Sequence, residues 1–468
     1  MASENMNRMT EKELNILLQG MSAFNKFRDS TSWYEPDDVW KRPVRPQSFK
    51  HIVFDDVQNE NISNYSTFTM NRILTAMYEM DFLFLPQTSN NVTRELSENY
   101  NSSIIKIKNK IIPVLEEKIF GYIDKEVYVT GDWNRETFEE YFNNKISTLS
   151  EKPESLVLIE KSSSRELVAK FLLMQHALDF LPESSHMIRY AKGDFGAEQS
   201  ALFRVLLDEF GYGRHEEKHS TLFKKTLSSA GMYDNSHAYW NFYLNSTLMN
   251  NNYFHYITND ISKFFEYVGA ITWAENSFGP YCRMIGNMLK ETIKDIDVRY
   301  YEEHDHIDGF HGRMTLHEIL NPLAKRFGND VYVHFVKGIE VCGFLQKVME
   351  KELCDQIRWM ENKEKYVQLA KDIKRSVLDD IKKIPVAYLN EPLNELSVPH
   401  VHDGDEFCIV DEGMLRFCHG PDCYTDLLPG DCVVIRKNRL HGALVLSDYC
   451  KYRILSIGDY TKYANYKI

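Results

Sequence analysis

His400-Val-His402-Asp-Gly-Asp-Glu406, with His441 further along, offers three imidazoles and a carboxylate that one metal ion could gather. Alternate residues of a strand point to one face. His400, His402 and Glu406 share that parity, so all three can look into the interior of a small β-barrel. Gly413 suits the turn after that strand, and Pro429-Gly430-Asp431 the turn that opens a later one, near whose end His441 falls. Three neutral imidazoles, with or without the carboxylate, leave open positions on an iron-type ion, which suits dioxygen chemistry. A barrel whose site stays empty is the competing reading.

A second constellation lies upstream. His304, Asp308 and His311 are spaced i, i+4, i+7. At about 100° per residue they lie within roughly 60° of one another on a helix. Gly309 and Gly312 cost helix stability there but let another backbone or a ligand come close. A solvated polar face is the alternative, since Glu302, Glu303, Asp305 and His306 crowd the same segment; His306 itself falls well round the helix from the stripe. Candidate partners are Glu183 after Pro182, Glu209 in Leu-Asp-Glu-Phe-Gly-Tyr-Gly, His219, and Glu275 in Trp-Ala-Glu-Asn. Carboxylates and histidines projecting inward from several helices are the donor set of a non-haem di-iron centre. Glu198, about 20° from Glu209 on a continuous helix, and Asp208 are rivals that the pattern leaves open.

His215-Glu216-Glu217-Lys218-His219 also matches H-E-x-x-H, two imidazoles one helical turn apart with a general base between them, as in zinc proteases. Leu222 and Lys225 stand where the extended motif needs Gly and His, and no glutamate lies between Lys218 and Phe265 to act as third ligand. The reading preferred is His219 as a ligand of a different site, with His215 outside it. Cys418 and Cys423 flank His419, but no second pair completes a zinc site, so barrel packing is expected.

These donors need more than one scaffold. With 468 residues the chain is too long for one ordinary core, and two or three domains are expected. Residues 1–50 are polar, with Pro36, Pro43 and Pro46, and suggest a wrapping arm. Met70, Ile73, Leu74 and Met77 recur at helical spacing up to a stop at Pro86, and a second apolar stretch runs from Ile104 to Ile119 across Pro113. Ser150–Glu154 reads as a joint. Glu166–Leu181, Ala197–Phe210 and Phe264–Asn276 are periodic helical segments, and the charged helix Lys363–Lys383 ends at Ile384-Pro385, beyond which short alternating segments bounded by Gly and Pro indicate β structure. The expected architecture is multidomain α + β: a helical dimerisation domain at 1–150, a helical bundle at 151–380 and a β-barrel at 381–468. A net charge of −13 argues against a nucleic-acid surface. Residues 1–30 lack a secretory pattern and no apolar run approaches the roughly 20 residues of a membrane span. Eight cysteines are then expected as free thiols in a cytoplasmic protein.

The spacing H-x-H-x3-E-x6-G, followed by P-G-D and a distant His, resembles the two motifs of the cupin family; Arg436 departs from the proline common there. Together with the upstream donors, the chain resembles haem-oxygenase-like di-iron oxidases fused to a C-terminal cupin, over nearly its full length. The resemblance implies Glu183, Glu209, His219, His304, Asp308 and His311 as di-iron ligands, Glu209 being selected over Asp208 and Glu198. Glu275 is an additional carboxylate in that set. It implies His400, His402 and His441 as cupin iron ligands, with Glu406 beside them as an optional ligand. It further implies two Fe(II) ions in the helical domain and one in the cupin, dioxygen as co-substrate and an external reductant. The activity implied is N-hydroxylation of the guanidine of N-methyl-L-arginine, then rearrangement to an N-nitrosourea. A di-iron oxidase of another amino acid with a vestigial cupin is the alternative, and a ligand-sensing cupin on a helical homodimer a more distant one. The expected partners are a small amino-acid substrate and a second copy of the chain, with neither nucleic acid nor membrane.

Overall fold

The computed structural model describes residues 13, 16–18, 32–34, 39–40, 42, 54–59, 62–86 and 89–468. Pro36, Pro43 and Pro46 of the expected arm lie outside them. Met70, Ile73, Leu74 and Met77 fall in the helix Tyr65–Tyr78, whose residues 66–78 are all buried. That helix stops well before Pro86, at the 3-10 turn Glu79–Asp81. The helix Ser102–Glu126 instead runs straight through Pro113. No described helix is long and apolar enough to cross a membrane.

Contacts group the chain into two units: 1–119 with 237–245 and 352–468, and 120–236 with 246–351. This differs from three consecutive segments divided at 150 and 380, and specific contacts explain it. Residues 120–150 join the second unit because Phe138 packs on Tyr332 at 5.2 Å and Lys145 Nζ donates to Glu340 at 2.7 Å. Residues 237–245 join the first because Arg72 Nη2 donates to the Asn241 carbonyl at 3.0 Å and His237 lies 2.7 Å from Glu79. Gln356 Nε2 donates to the carbonyls of His419 and Leu440, tying residues after 351 to the strands.

Among the described residues the first unit holds eight antiparallel strands: β1 Val386–Pro392, β2 Leu396–His400, β3 Asp405–Glu412, β4 Leu415–Gly420, β5 Cys423–Leu427, β6 Cys432–Ile435, β7 His441–Val445 and β8 Tyr449–Gly458. They form two four-stranded sheets, β1-β8-β3-β6 and β2-β7-β4-β5, the order of a jelly roll. Gly413, at φ 85°, makes the turn after β3, where a Cβ would lie 2.2 Å from the Tyr449 carbonyl oxygen. Tyr366, Leu369, Ala370, Ile373 and Val377 recur every three or four residues and bury one face of the helix Lys363–Asp379, which packs on β6.

The second unit is helical. Phe264–Thr292 pairs most closely with Arg299–Met314, and Arg165–Phe180, Ala197–Glu209 and His219–Ser229 belong to the same unit. Gly269 and Gly338 let two helix backbones touch, since a Cβ on either would meet main chain at 2.0 Å. At Gly312 it is a side chain that comes close: Asn276 occupies the place of a Cβ and donates to the Gly312 carbonyl at 3.1 Å. Gly309 faces open space instead.

Candidate metal centres

In the helical unit five elements deliver the donors. Glu183 sits in the turn after Arg165–Phe180, beside Ser184 at φ 57°. Glu209 is the last residue of Ala197–Glu209. The chain then reverses at Gly211, φ 59°, where a Cβ would lie 2.5 Å from the Glu217–Lys218 peptide, and returns His219 as the first residue of its helix. Glu275 comes from Phe264–Thr292, and the stripe of His304, Asp308 and His311 is buried on Arg299–Met314, which passes into a π-helical turn at Thr315–Leu320. Single π turns inside helices recur at functional sites.

Two groups of potential ligand atoms form, each with its atoms within 4.8 Å of one another: Glu183, Glu209, His219 and His304, and Glu209, Glu275 and His311. Glu209 belongs to both. Its Oε2 is 2.8 Å from His219 Nδ1 and 3.9 Å from His304 Nε2, while its Oε1 is 3.7 Å from His311 Nδ1. Asp308 is in neither group, yet both its carboxylate oxygens are buried without a hydrogen-bond partner, as is Glu183 Oε2. Burial, with Glu275, Glu209 and Glu183 nearby, pushes the Asp308 carboxyl up to about 10. Burial likewise raises Glu183 well above the usual carboxylate range, helped by Glu209. Burial opposes ionisation of Glu209 too, but His219, His304 and His311 overcome it and hold that carboxyl at about 2. His311 is raised to about 9 against its burial, by Glu275, Glu209 and Asp208. Such a cluster is costly without positive charge. The charge of its four carboxylates equals that of two divalent ions, and with three imidazoles the donor set fits an iron pair.

Hydrogen bonds orient these rings. His304 Nδ1–H donates to the Tyr300 carbonyl at 2.8 Å, which leaves Nε2 facing Glu183, and Tyr300 Oη–H donates to Glu183 Oε1 at 2.6 Å. His311 Nε2–H donates to Asp208 Oδ2 at 2.9 Å, leaving Nδ1 3.2 Å from Glu275 Oε2. Asp208, weighed in the sequence only as a rival ligand, thus backs His311. Glu198 is buried on the same helix but outside both groups. His306 is exposed. The H-E-x-x-H motif is broken by a helix boundary: His215 is exposed in the 3-10 turn His215–Glu217, Glu216 pairs with Lys225 at 2.7 Å, and only His219 enters the helix. A cavity of about 250 Å³ opens onto Glu183, Glu209, Glu275, His304 and Asp308. Its wall includes Asp179, whose carboxyl burial pushes up to about 6, with Glu209 adding to the effect.

In the β-domain His400, His402 and His441 bring their ring nitrogens within 4.8 Å of one another. His400 closes β2 and pairs with His441, which opens β7. His402 lies in the turn between β2 and β3 and Glu406 lies in β3, so parity along one strand is not what joins them; the tight turn is. Nor does His441 end the strand begun after Pro429-Gly430-Asp431, which is the short β6. His400 Nδ1–H donates to the Val398 carbonyl and His441 Nδ1–H to that of Arg439, each at 2.8 Å, which frees both Nε2 atoms. Burial pushes His402 down to about 4, His441 to about 3 and His400 well below its usual value, so all three are neutral donors at pH 7. Glu406 Oε2 is 3.2 Å from His402 Nε2 but outside the trio, and burial raises its carboxyl to about 7. Arg436 forms an ion pair with the buried Asp405 under this turn. His419 packs against Trp359 and Phe417, and Cys418 and Cys423 turn to backbone carbonyls, as barrel packing requires.

Residues 170–340 match the family model described as an iron-containing redox enzyme. The nitrosourea synthase of Streptomyces achromogenes subsp. streptozoticus is 38% identical over 441 residues, which cover 93% of this chain and 93% of that protein.

Proposed function

The chain belongs to the family of that nitrosourea synthase and is a non-haem iron oxidoreductase; from this premise we propose that it N-hydroxylates the guanidine of an L-arginine derivative, N-methyl-L-arginine, in the helical unit and converts the product to an N-nitrosourea in the β-domain, a cupin. The observation that carries this reading is the position of Glu209, whose two oxygens face separate donor groups in a chain that also holds three convergent neutral imidazoles. Glu183, Glu209, Glu275, Asp308, His219, His304 and His311 would hold two Fe(II) ions, and His400, His402 and His441 a third. Iron bound there supplies dioxygen activation, with electrons from an external reductant.

The chain's own residues do the rest. A guanidinium is delocalised, stays protonated to about pH 12 or beyond and is a poor nucleophile, so it must be held against the oxidising centre in a site that excludes water. Trp273 and Phe278 in the wall of the helical cavity serve that exclusion. Tyr300, through its hydroxyl on Glu183 and its carbonyl on His304, fixes two ligands from one residue. In the cupin, three neutral donors leave positions for a chelating hydroxylated guanidine.

Mass spectrometry of iron-loaded protein incubated with N-methyl-L-arginine, reductant and air tests the reading. The expected products are hydroxylated and then N-nitroso species. Hydroxylated compounds alone would leave the helical unit as an N-oxygenase with an idle cupin, and no oxygen uptake would overturn the proposal.

A further inference from the structure

The cavity beside the helical centre contains one acid besides the candidate ligands, Asp179, and among its described lining residues there is neither lysine nor arginine. Asp179 stands one residue before the end of Arg165–Phe180. The carbonyl ends of a helix disfavour an anion there, and that last turn carries no basic residue. The Glu209 carboxylate adds to the cost of a charge on Asp179. The four ligating carboxylates already balance two divalent ions, so Asp179 leaves one negative charge over, facing the space where a substrate must sit. A second observation marks this cavity as built for a polar ligand. Asn251 lines it with a buried Nδ2 amide that has no hydrogen-bond partner, a donor for an acceptor that the ligand brings. Phe254 and Tyr281 supply apolar wall suited to an aliphatic chain.

We infer that Asp179 is the substrate-binding carboxylate that pairs with a monocationic nitrogen group, holding a guanidinium beside the metal ligands while remaining outside their set. This rests on the guanidine reading of the proposed function and names the residue that enforces it. A carboxylate and a guanidinium match as two parallel N–H···O bonds, so the pair fixes orientation as well as charge. The cavity then selects against neutral isosteres, because a carboxylate that the bound ligand encloses is left without its partner.

The test is calorimetric titration of the anaerobic iron-loaded protein with N-methyl-L-arginine and with its ureido analogue, in which a neutral urea replaces the guanidinium. The wild-type protein is expected to prefer the guanidino compound by roughly a hundredfold. Asp179→Asn is expected to reduce that preference to about threefold or less with the iron content of the helical unit unchanged, and Asp179→Glu to restore part of it. A preference that survives Asp179→Asn overturns the inference, and so does loss of iron in that variant, which would make Asp179 a ligand. A wild-type protein indifferent to the charge of the two compounds would instead sink the guanidine reading itself.

Discussion

The candidate centre of the helical unit gathers three acids and three imidazoles into two donor groups, with the orphaned Asp308 beside them, from five elements, whereas the candidate centre of the β-domain gathers three imidazoles from two paired strands and the turn beside them. The difference is one of charge and preparation. In the β-domain, burial keeps the rings neutral and carbonyls of the same chain segments fix two of them before any ion arrives. In the helical unit, acids are packed against acids, and orphaned oxygens on Asp308 and Glu183 wait for positive charge. One candidate centre is preformed and uncharged; the other has orphaned acid oxygens that a bound cation would satisfy, so on the proposed reading ion binding and folding are linked there.

The two centres should part most visibly at Glu209. On the proposed reading, Glu209→Ala is expected to abolish the two ions of the helical unit while leaving one in the β-domain, read as iron per chain after anaerobic loading; retention of either ion in the helical unit would show that Glu209 is not shared. His441→Ala is the mirror experiment. It should cost one ion, keep the helical pair and make the hydroxylated intermediate accumulate in product analysis. A subtler probe is Asp208→Asn, which removes the negative charge behind His311 and leaves at most a neutral amide oxygen to accept from it. Iron affinity of the helical unit is expected to weaken by about 10–100-fold, with any iron in the β-domain untouched, measured by competition with a chelator.

The pH dependence of metal-free stability sharpens the contrast. Asp308 and His311 have folded-state values raised to about 10 and about 9, from 3.8 and 6.5. Each therefore binds more protons folded than unfolded, and the stability it contributes is lost as pH rises from its unfolded value through its folded one. The melting temperature of the metal-free protein should fall by on the order of a few degrees between pH 6.5 and 10, and Asp308→Asn should flatten part of that fall in thermal melts. The smallest effect is expected at Glu406. Glu406→Gln should weaken iron binding in the β-domain by less than about tenfold, since the carboxylate lies beside the imidazole trio; complete loss of that ion would make it a ligand.

Much of this was legible locally. The i, i+4, i+7 stripe holds because three residues on one helix keep their phase wherever the helix goes, and His304, Asp308 and His311 are buried together as that geometry requires. Gly413 and Pro429-Gly430-Asp431 mark turns for the same reason, since a backbone conformation belongs to its own few residues. Partners across space were not legible. Asp208 and Glu209 are adjacent, and only the path of Arg299–Met314 past them puts one behind His311 and the other in both donor groups. Glu198 shares a helix with Glu209 without reaching the centre, and the H-E-x-x-H motif divides at a helix start that its spacing does not reveal. Asp179 carries no motif at all, and its meaning comes from a cavity that distant segments enclose. By itself the sequence determined which chemistries were present and how donors are phased on their own elements. Tertiary structure alone decided which donors meet, because that depends on how separate elements pack, and no local spacing encodes the distance between them.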